Sequence, residues 1–262
     1  MQVSPTTVRL LLVVFVSAVA GVMNAIAGGG TLLTFPALIG LGIPPLTANA
    51  TSTVGLLPAS VSSMWGYRDP LQGARRWMVA FALPSLAGGL IGAVLLIWTP
   101  ANTFSRIVPW LVLGATGLFI AQGPLSDRLR RRGTGTSSGS PVDPSPTGLI
   151  LAFQFLIAIY GGYFGAGVGI LMLAGLGLMG LTNIHRMNGL KNWGGLCMNV
   201  VAAGAFAVAG LVNWPVALSM AAGSFGGGYI GSRLAQRIGQ QAVRTVIVAI
   251  GISSGIWLML AR

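Results

Sequence analysis

Apolar residues fill ten stretches of this chain almost without interruption, at about 8–27, 29–41, 46–66, 77–98, 107–122, 148–165, 167–181, 193–211, 213–232 and 245–261. Runs of this kind predict membrane-spanning helices, because a crossing of the hydrocarbon core takes roughly 20 apolar residues at about 1.5 Å of rise each. Two stretches, 29–41 and 167–181, are too short for that. They reach part of the way, or pair with a neighbouring half-helix. The first stretch, 8–27, is longer than the roughly 7–15 residues of a signal-peptide core, and Arg9 near its start supplies the only n-region charge, so it reads as a retained span.

The order of stretches repeats. Between Gln122 and Gly148 the apolar pattern gives way to a basic cluster, Arg128, Arg130, Arg131 and Arg132, and then to Gly, Ser and Pro, with Pro141, Pro144 and Pro146. This reads as a polar linker at 123–147 between a first membrane repeat, 1–122, and a second, 148–262. Each half has one apolar segment, a glycine cluster, a short segment and three full spans. An offset of 139 aligns Ala27 with Ala166, Gly28 with Gly167, Gly30 with Gly169, Asn49 with Asn188 and Gly55 with Gly194. The predicted fold is an all-α polytopic membrane protein with ten helical segments, about eight of them full spans.

Composition removes other classes. Hydrophobic residues make up 54% of the 262 residues and charged residues 7%, and mean hydropathy is +0.82. A soluble domain carries roughly 25% charged residues. Too few polar groups exist here to cover a globular surface, which argues against soluble enzymes, coiled coils and disordered regulators. The net charge of +12 fits cytoplasmic loops of a membrane protein better than nucleic-acid binding. Twelve of the 15 basic residues fall in four clusters, around residues 68–76, 128–132, 186–191 and 233–244. Placing all four inside runs span 46–66 inward and its counterpart 193–211 outward, so the halves are expected to be inverted copies. The one cysteine, Cys197, allows no intrachain disulfide and reads as a small core residue.

Inverted repeats with interrupted helices are a transporter design, in which half-helix termini meet a substrate near the midplane. Gly28, Gly29 and Gly30, with Gly165, Gly167 and Gly169, are the candidate helix-break residues. A helix starting near Thr31, and another near Ile170, would present free N–H groups and partial positive charge to an anion. The competing reading is that these glycines only pack helices closely. Thr31, Asn49, Thr51, Ser52 and Thr53 in the first half, and Asn188, Lys191 and Asn192 in the second, are the candidate substrate-binding residues, since amides and hydroxyls bind oxyanions without a counter-charge. Lys191 is the only lysine and an intramembrane cation by default marks function, although snorkelling to headgroups is open to it. Arg186 reads as a topology charge and His185 as a loop residue, while Asn24 and Asn199 either line a cavity or bridge helices. Pro36 and the Pro44-Pro45 pair are expected to fix the exit of the first short segment.

Absences narrow the chemistry further. Asp69, Asp127 and Asp143 are the only carboxylates, and all lie outside the apolar stretches. Coupling to protons or sodium through a membrane carboxylate is therefore disfavoured. Two matches to a nucleophile-elbow pattern, at Gly251–Gly255 and Gly135–Gly139, lack a strand-turn-helix setting. No phosphate-binding loop ending in Gly-Lys-Ser/Thr occurs, and one His with one Cys cannot build a metal site. Neither an enzyme nor a cofactor is expected.

The run Ala25-Ile26-Ala27-Gly28-Gly29-Gly30-Thr31-Leu32-Leu33-Thr34-Phe35-Pro36, with Gly42-Ile43-Pro44-Pro45 and Asn49-Ala50-Thr51-Ser52-Thr53 after it, resembles the sulfite exporter TauE/SafE family. Gly161–Gly169 and Met187–Asn192 are similar to its repeated counterpart, although Gly175 stands where a match to Pro36 would fall. The resemblance implies a bacterial inner-membrane carrier of sulfur-containing or organic anions, such as sulfite or sulfonates; with two inverted halves, one bundle is expected to rock against the other to alternate access. A potential negative inside drives an anion outward by about 2.3 kcal/mol per charge per 100 mV, which favours export. The expected partners are a small anion and the lipid bilayer, with no nucleic acid. A homodimer through Gly88/Gly92 or Gly223/Gly227/Gly231 competes with internal packing of those glycines. A carrier of another solute or a cation, and a non-transporting membrane scaffold, are the alternative functions.

Overall fold

A computed structural model describes residues 5–133, 147–178, 181, 183–236 and 241–260. The glycine- and proline-rich part of the expected linker, 134–146, lies outside them, as do Arg237 and Arg262. Among the described residues there are ten helices and no strand: α1 (Pro5–Ala27), α2 (Gly30–Gly40), α3 (Pro45–Gly66), α4 (Arg75–Trp98), α5 (Ala101–Gly133), α6 (Gly148–Tyr163), α7 (Val168–Leu178), α8 (Ile184–Val208), α9 (Trp214–Ala235) and α10 (Gln241–Leu260). The ten apolar stretches thus each become one helix.

Local chemistry explains where the helices depart from the apolar pattern. α8 starts at Ile184, nine residues before the apolar run at 193, because the Asn183 side chain accepts hydrogen bonds from the N–H groups of His185 and Arg186. Asn188, Lys191 and Asn192 therefore sit within a helix and not in the turn before it. Pro36 lies inside α2, which continues to Gly40, so it does not end that segment. Pro45 occupies the first turn of α3, where its missing N–H is harmless. The backbone of α5 stays helical to Gly133, through the basic cluster assigned above to the linker. At 33 residues it is about 50 Å long, more than the roughly 30 Å hydrocarbon core.

By length and apolar character, α1 from Arg9 to Ala27 and α4 from Arg75 to Trp98 suffice to cross a membrane. α3 and α8, at 22 and 25 residues, are long enough but carry the polar residues of interest. The outer surface is apolar, with Leu11, Phe15, Val79, Leu83, Leu156 and Leu218 exposed.

Packing crosses between the halves. α9 lies on α1 and α3, while α4 lies on α6 and α8. Each half thus lends its fourth helix to the other half's first and third. Small residues permit this: a Cβ at Gly227 would strike the Ala18 carbonyl, and one at Gly92 the Ile159 carbonyl. Gly88, Gly223 and Gly231 likewise abut Phe155, Val14 and Val22 of their own chain, so these glycines are spent on internal packing. Buried hydroxyls and amides stitch the same seams. Ser224 Oγ donates to Gly55 O (2.6 Å) and Ser63 Oγ to Gly228 O (3.1 Å) in one unit. In the other, Gln154 Nε2 donates to Ser85 Oγ (2.9 Å) and Trp193 Nε1 to Met78 O (2.7 Å).

The remaining helices follow the same rule, with α2 against α10, α7 against α5, and α5 against α10. Exchanging α1–α5 for α6–α10 maps this set of neighbours onto itself. α3 and α8, which correspond under that exchange, run antiparallel. Gly189, early in α8, faces Leu71 just beyond the end of α3. Asn213, just beyond α8, donates its N–H to Thr51 Oγ1 early in α3 (3.0 Å).

Candidate functional site

Two helix interruptions meet at the centre of the bundle. α1 ends at Ala27, and Gly28 takes φ +79°, a conformation other residues adopt at a cost. α6 ends at Tyr163, and Gly165 and Gly167 take φ +78° and +74°. Gly30 and Gly169 lie in the first turns of α2 and α7. The backbones of Gly28 and Gly169 touch, so that a Cβ on Gly28 would lie 2.5 Å from the Gly169 Cα. Phe164, in the second interruption, packs edge to face with Phe35 and Phe104, at centroid distances of 5.4 and 6.4 Å; such pairs add about 0.5–1.5 kcal/mol each.

A cavity of about 30 Å³ lies between the interruptions, α3 and α8. This is room for roughly one or two waters, far less than a drug-sized pocket. Asn24, Gly28 and Thr31 line it from the first interruption, and Gly165, Val168 and Gly169 from the second. α3 contributes Thr53, Leu56 and Ser60, and α8 contributes Lys191, Asn192, Gly195 and Asn199. A larger void of about 200 Å³ between α1, α2 and α9 is walled by Leu, Val, Ala and Met side chains with Thr34 alone polar, and offers little to recognise a polar solute.

Lys191 is 3% exposed, too deeply enclosed to snorkel. Its Nζ donates to the carbonyls of Asn24 and Ala25, both at 3.1 Å, in the last turn of α1. The carbonyl end of α1, the negative end of its dipole, thus holds the Lys191 amino group in place of a carboxylate. An exposed ion pair joins Arg68 and Asp69 at 3.7 Å. When protonated, Lys191 Nζ carries one N–H more than the two it uses, and the residue lines the cavity. The buried Asn192 Nδ2 has no partner among the described residues, and it is a donor in the same place. α2 begins without a side-chain cap, so its first N–H groups face the interruption. These features converge as positive potential at a site without an acidic residue.

Of the residues marked out in the sequence, Thr31, Thr53, Lys191 and Asn192 line the cavity, with Asn24 and Asn199 beside them. Four others do not line it. Thr51 Oγ1 accepts from the Asn213 N–H, and Ser52 Oγ pairs with Thr34 Oγ1 at 2.5 Å. Helical geometry turns both away from the face that carries Thr53. Asn49 Nδ2 donates to Tyr163 O at the end of α6 (3.1 Å), and Asn188 lies one turn before Asn192. Ser60, Leu56 and Gly195 were not singled out. Their signal was present: Thr53, Leu56 and Ser60 recur at helical spacing, and the offset of 139 carries them onto Asn192, Gly195 and Asn199.

A family model described as sulfite exporter TauE/SafE matches residues 13–258. The chain belongs to the TauE/SafE family. A "probable membrane transporter protein ORF9" of a Sinorhizobium species is 32% identical over 258 residues, covering 96% of this chain and 93% of that protein. The "probable membrane transporter protein YfcA" of Escherichia coli K12 is 30% identical over 257 residues, covering 95% and 88%. A "probable membrane transporter protein" of Haemophilus influenzae is 28% identical over 246 residues, covering 92% and 91%. No solved structure matches the chain. This TauE/SafE protein is a polytopic helical membrane transporter, not an enzyme.

Proposed function

We propose that this TauE/SafE protein carries a small oxyanion, sulfur-containing, across the bacterial inner membrane by alternating access, with export as the working direction. The observation that carries the reading is Lys191, a buried amine tied to two helix-end carbonyls on the cavity wall, with no carboxylate among the described residues lining that cavity. A cation carrier would need those interrupted-helix carbonyls free, and the lysine occupies two of them. A scaffold would not need the unpartnered Asn192 amide beside it.

The substrate would enter between Thr31, Thr53, Lys191 and Asn192, with the α2 N–H groups completing its shell. The cavity holds no more than a water or two, so binding requires the walls to part. The moving bodies are the glycine-packed units α1/α3/α9 and α4/α6/α8, since those seams are tighter than the contact between α3 and α8. Thermal-shift titration in detergent with sulfite, thiosulfate, a short sulfonate and acetate tests the substrate class. Stabilisation by one of the sulfur anions, lost in Lys191→Met, is expected. Stabilisation by none of them, or equal stabilisation of both proteins, would reject the reading.

A further inference from the structure

Residues His185, Asn188, Asn192, Gly195 and Asn199 recur every three or four positions and form one stripe along α8. The last three line the cavity. The first two continue the stripe toward the α8 N-terminus, beside the loop that carries Arg68 and precedes Arg75. α3 repeats the arrangement with Leu46, Asn49, Thr53, Leu56 and Ser60, again with the last three in the cavity. Because α3 and α8 are antiparallel, the outward continuations leave the cavity in opposite directions. One ends at the basic loop and the other near the uncharged turn at Asn213.

At the same place on each stripe stands an asparagine that is 1% exposed and has a buried Oδ1 without a partner among the described residues, Asn49 on α3 and Asn188 on α8. Asn49 is oriented by its Nδ2 bond to Tyr163 O, which fixes which atom is the oxygen. His185 Nδ1, one turn farther out, is also unpartnered. Buried polar groups are paired nearly always, so two orphan acceptors at equivalent positions call for a visiting partner.

We propose that Asn188 and Asn49 are the two thresholds of the transport path, each receiving the hydrated substrate on its own side of the cavity. The proposal rests on the reading of this cavity as the transport site and adds where its two mouths lie. Neither residue is a ligand in the closed cavity; each offers its amide oxygen as an acceptor to the water that hydrates the solute during passage.

Side-specific thiol labelling tests it. In a Cys197→Ala background, which removes the sole cysteine, Asn188→Cys, Asn49→Cys and Thr51→Cys are exposed in right-side-out and inside-out vesicles to two impermeant methanethiosulfonates, one anionic and one cationic. Asn188→Cys is expected to react about tenfold or more faster from the basic-loop side, and Asn49→Cys from the opposite side, while Thr51→Cys, off the stripe, stays slow from both. Reaction of both asparagine positions from the same side, or no faster than Thr51→Cys, overturns the proposal. A faster cationic than anionic reagent at both positions would sink the anion reading but leave the thresholds standing. Should either variant fail to fold, His185→Cys and Leu46→Cys, one turn outward on the same stripes, replace them with the same expected and contrary outcomes.

Discussion

At the residue scale, Lys191 and Gly28 carry most of the site. Lys191 joins the two packed units, since it leaves α8 and bonds to the last turn of α1. Its loss removes the one ionisable side chain among the described residues that line the cavity and uncaps that helix end. Lys191→Ala should therefore weaken anion affinity about tenfold or more, consistent with the ~1.5–3 kcal/mol of a hydrogen bond to a charged group, as read by binding titration. Unchanged affinity with a folded protein would remove Lys191 from the site. Gly28→Ala faces both a φ of +79° and the Gly169 backbone. It should lower stability by about 1–3 kcal/mol, seen as a fall in melting temperature in detergent, whereas an unchanged melting temperature would mean that the two interruptions do not abut. Residue identity made these two positions legible in advance, because a lone lysine in an apolar run and a run of three glycines are both conspicuous. Thr51 and Ser52 misled because a cluster of hydroxyls looks alike on every face of a helix until the neighbours are known.

At the element scale, the ten helices were visible because the apolar stretches, eight of them long and two short, are separated by glycine, proline or polar residues. The start of α8 was not, since Ile184–Asn192 contains too many polar residues for an apolar run. The Asn183 cap and the packing of Met187 and Leu190 into the core hold it helical. Asn183→Ala should cost about 1 kcal/mol and loosen the first turn of α8, measurable as faster amide exchange over residues 184–188. Protection equal to the parent there would show the cap to be idle. Gly227 and Gly92 occupy corresponding seams in the two units. Leucine at either should be comparably destabilising in a melting experiment, by about 1–3 kcal/mol or more, and a large effect at one with none at the other would break the equivalence of the halves.

At the scale of the whole molecule, the repeat was readable from the offset of 139 but the exchange of helices was not. Hydropathy reports the length and polarity of a span and says nothing about which span lies beside it. The seams α1/α9 and α4/α6 depend on backbones meeting at glycines that a dimer face would have used equally well. Spin-label pairs at exposed positions can follow the resulting motion in the Cys197→Ala background. Leu11 with Leu218, and Val79 with Leu156, lie within one unit each; Leu218 with Leu156 spans both. Saturating sulfite should change the spanning distance and leave the other two fixed, and equal changes in all three would refute the units.

The most direct test of the account is electrogenic flux in proteoliposomes, recorded on a solid-supported membrane during jumps of sulfite or thiosulfate. The account predicts a transient current with the sign of moving negative charge, which Lys191→Ala abolishes while the protein remains folded. A current that follows the cation instead, or an anion current of the same size in Lys191→Ala, would contradict it.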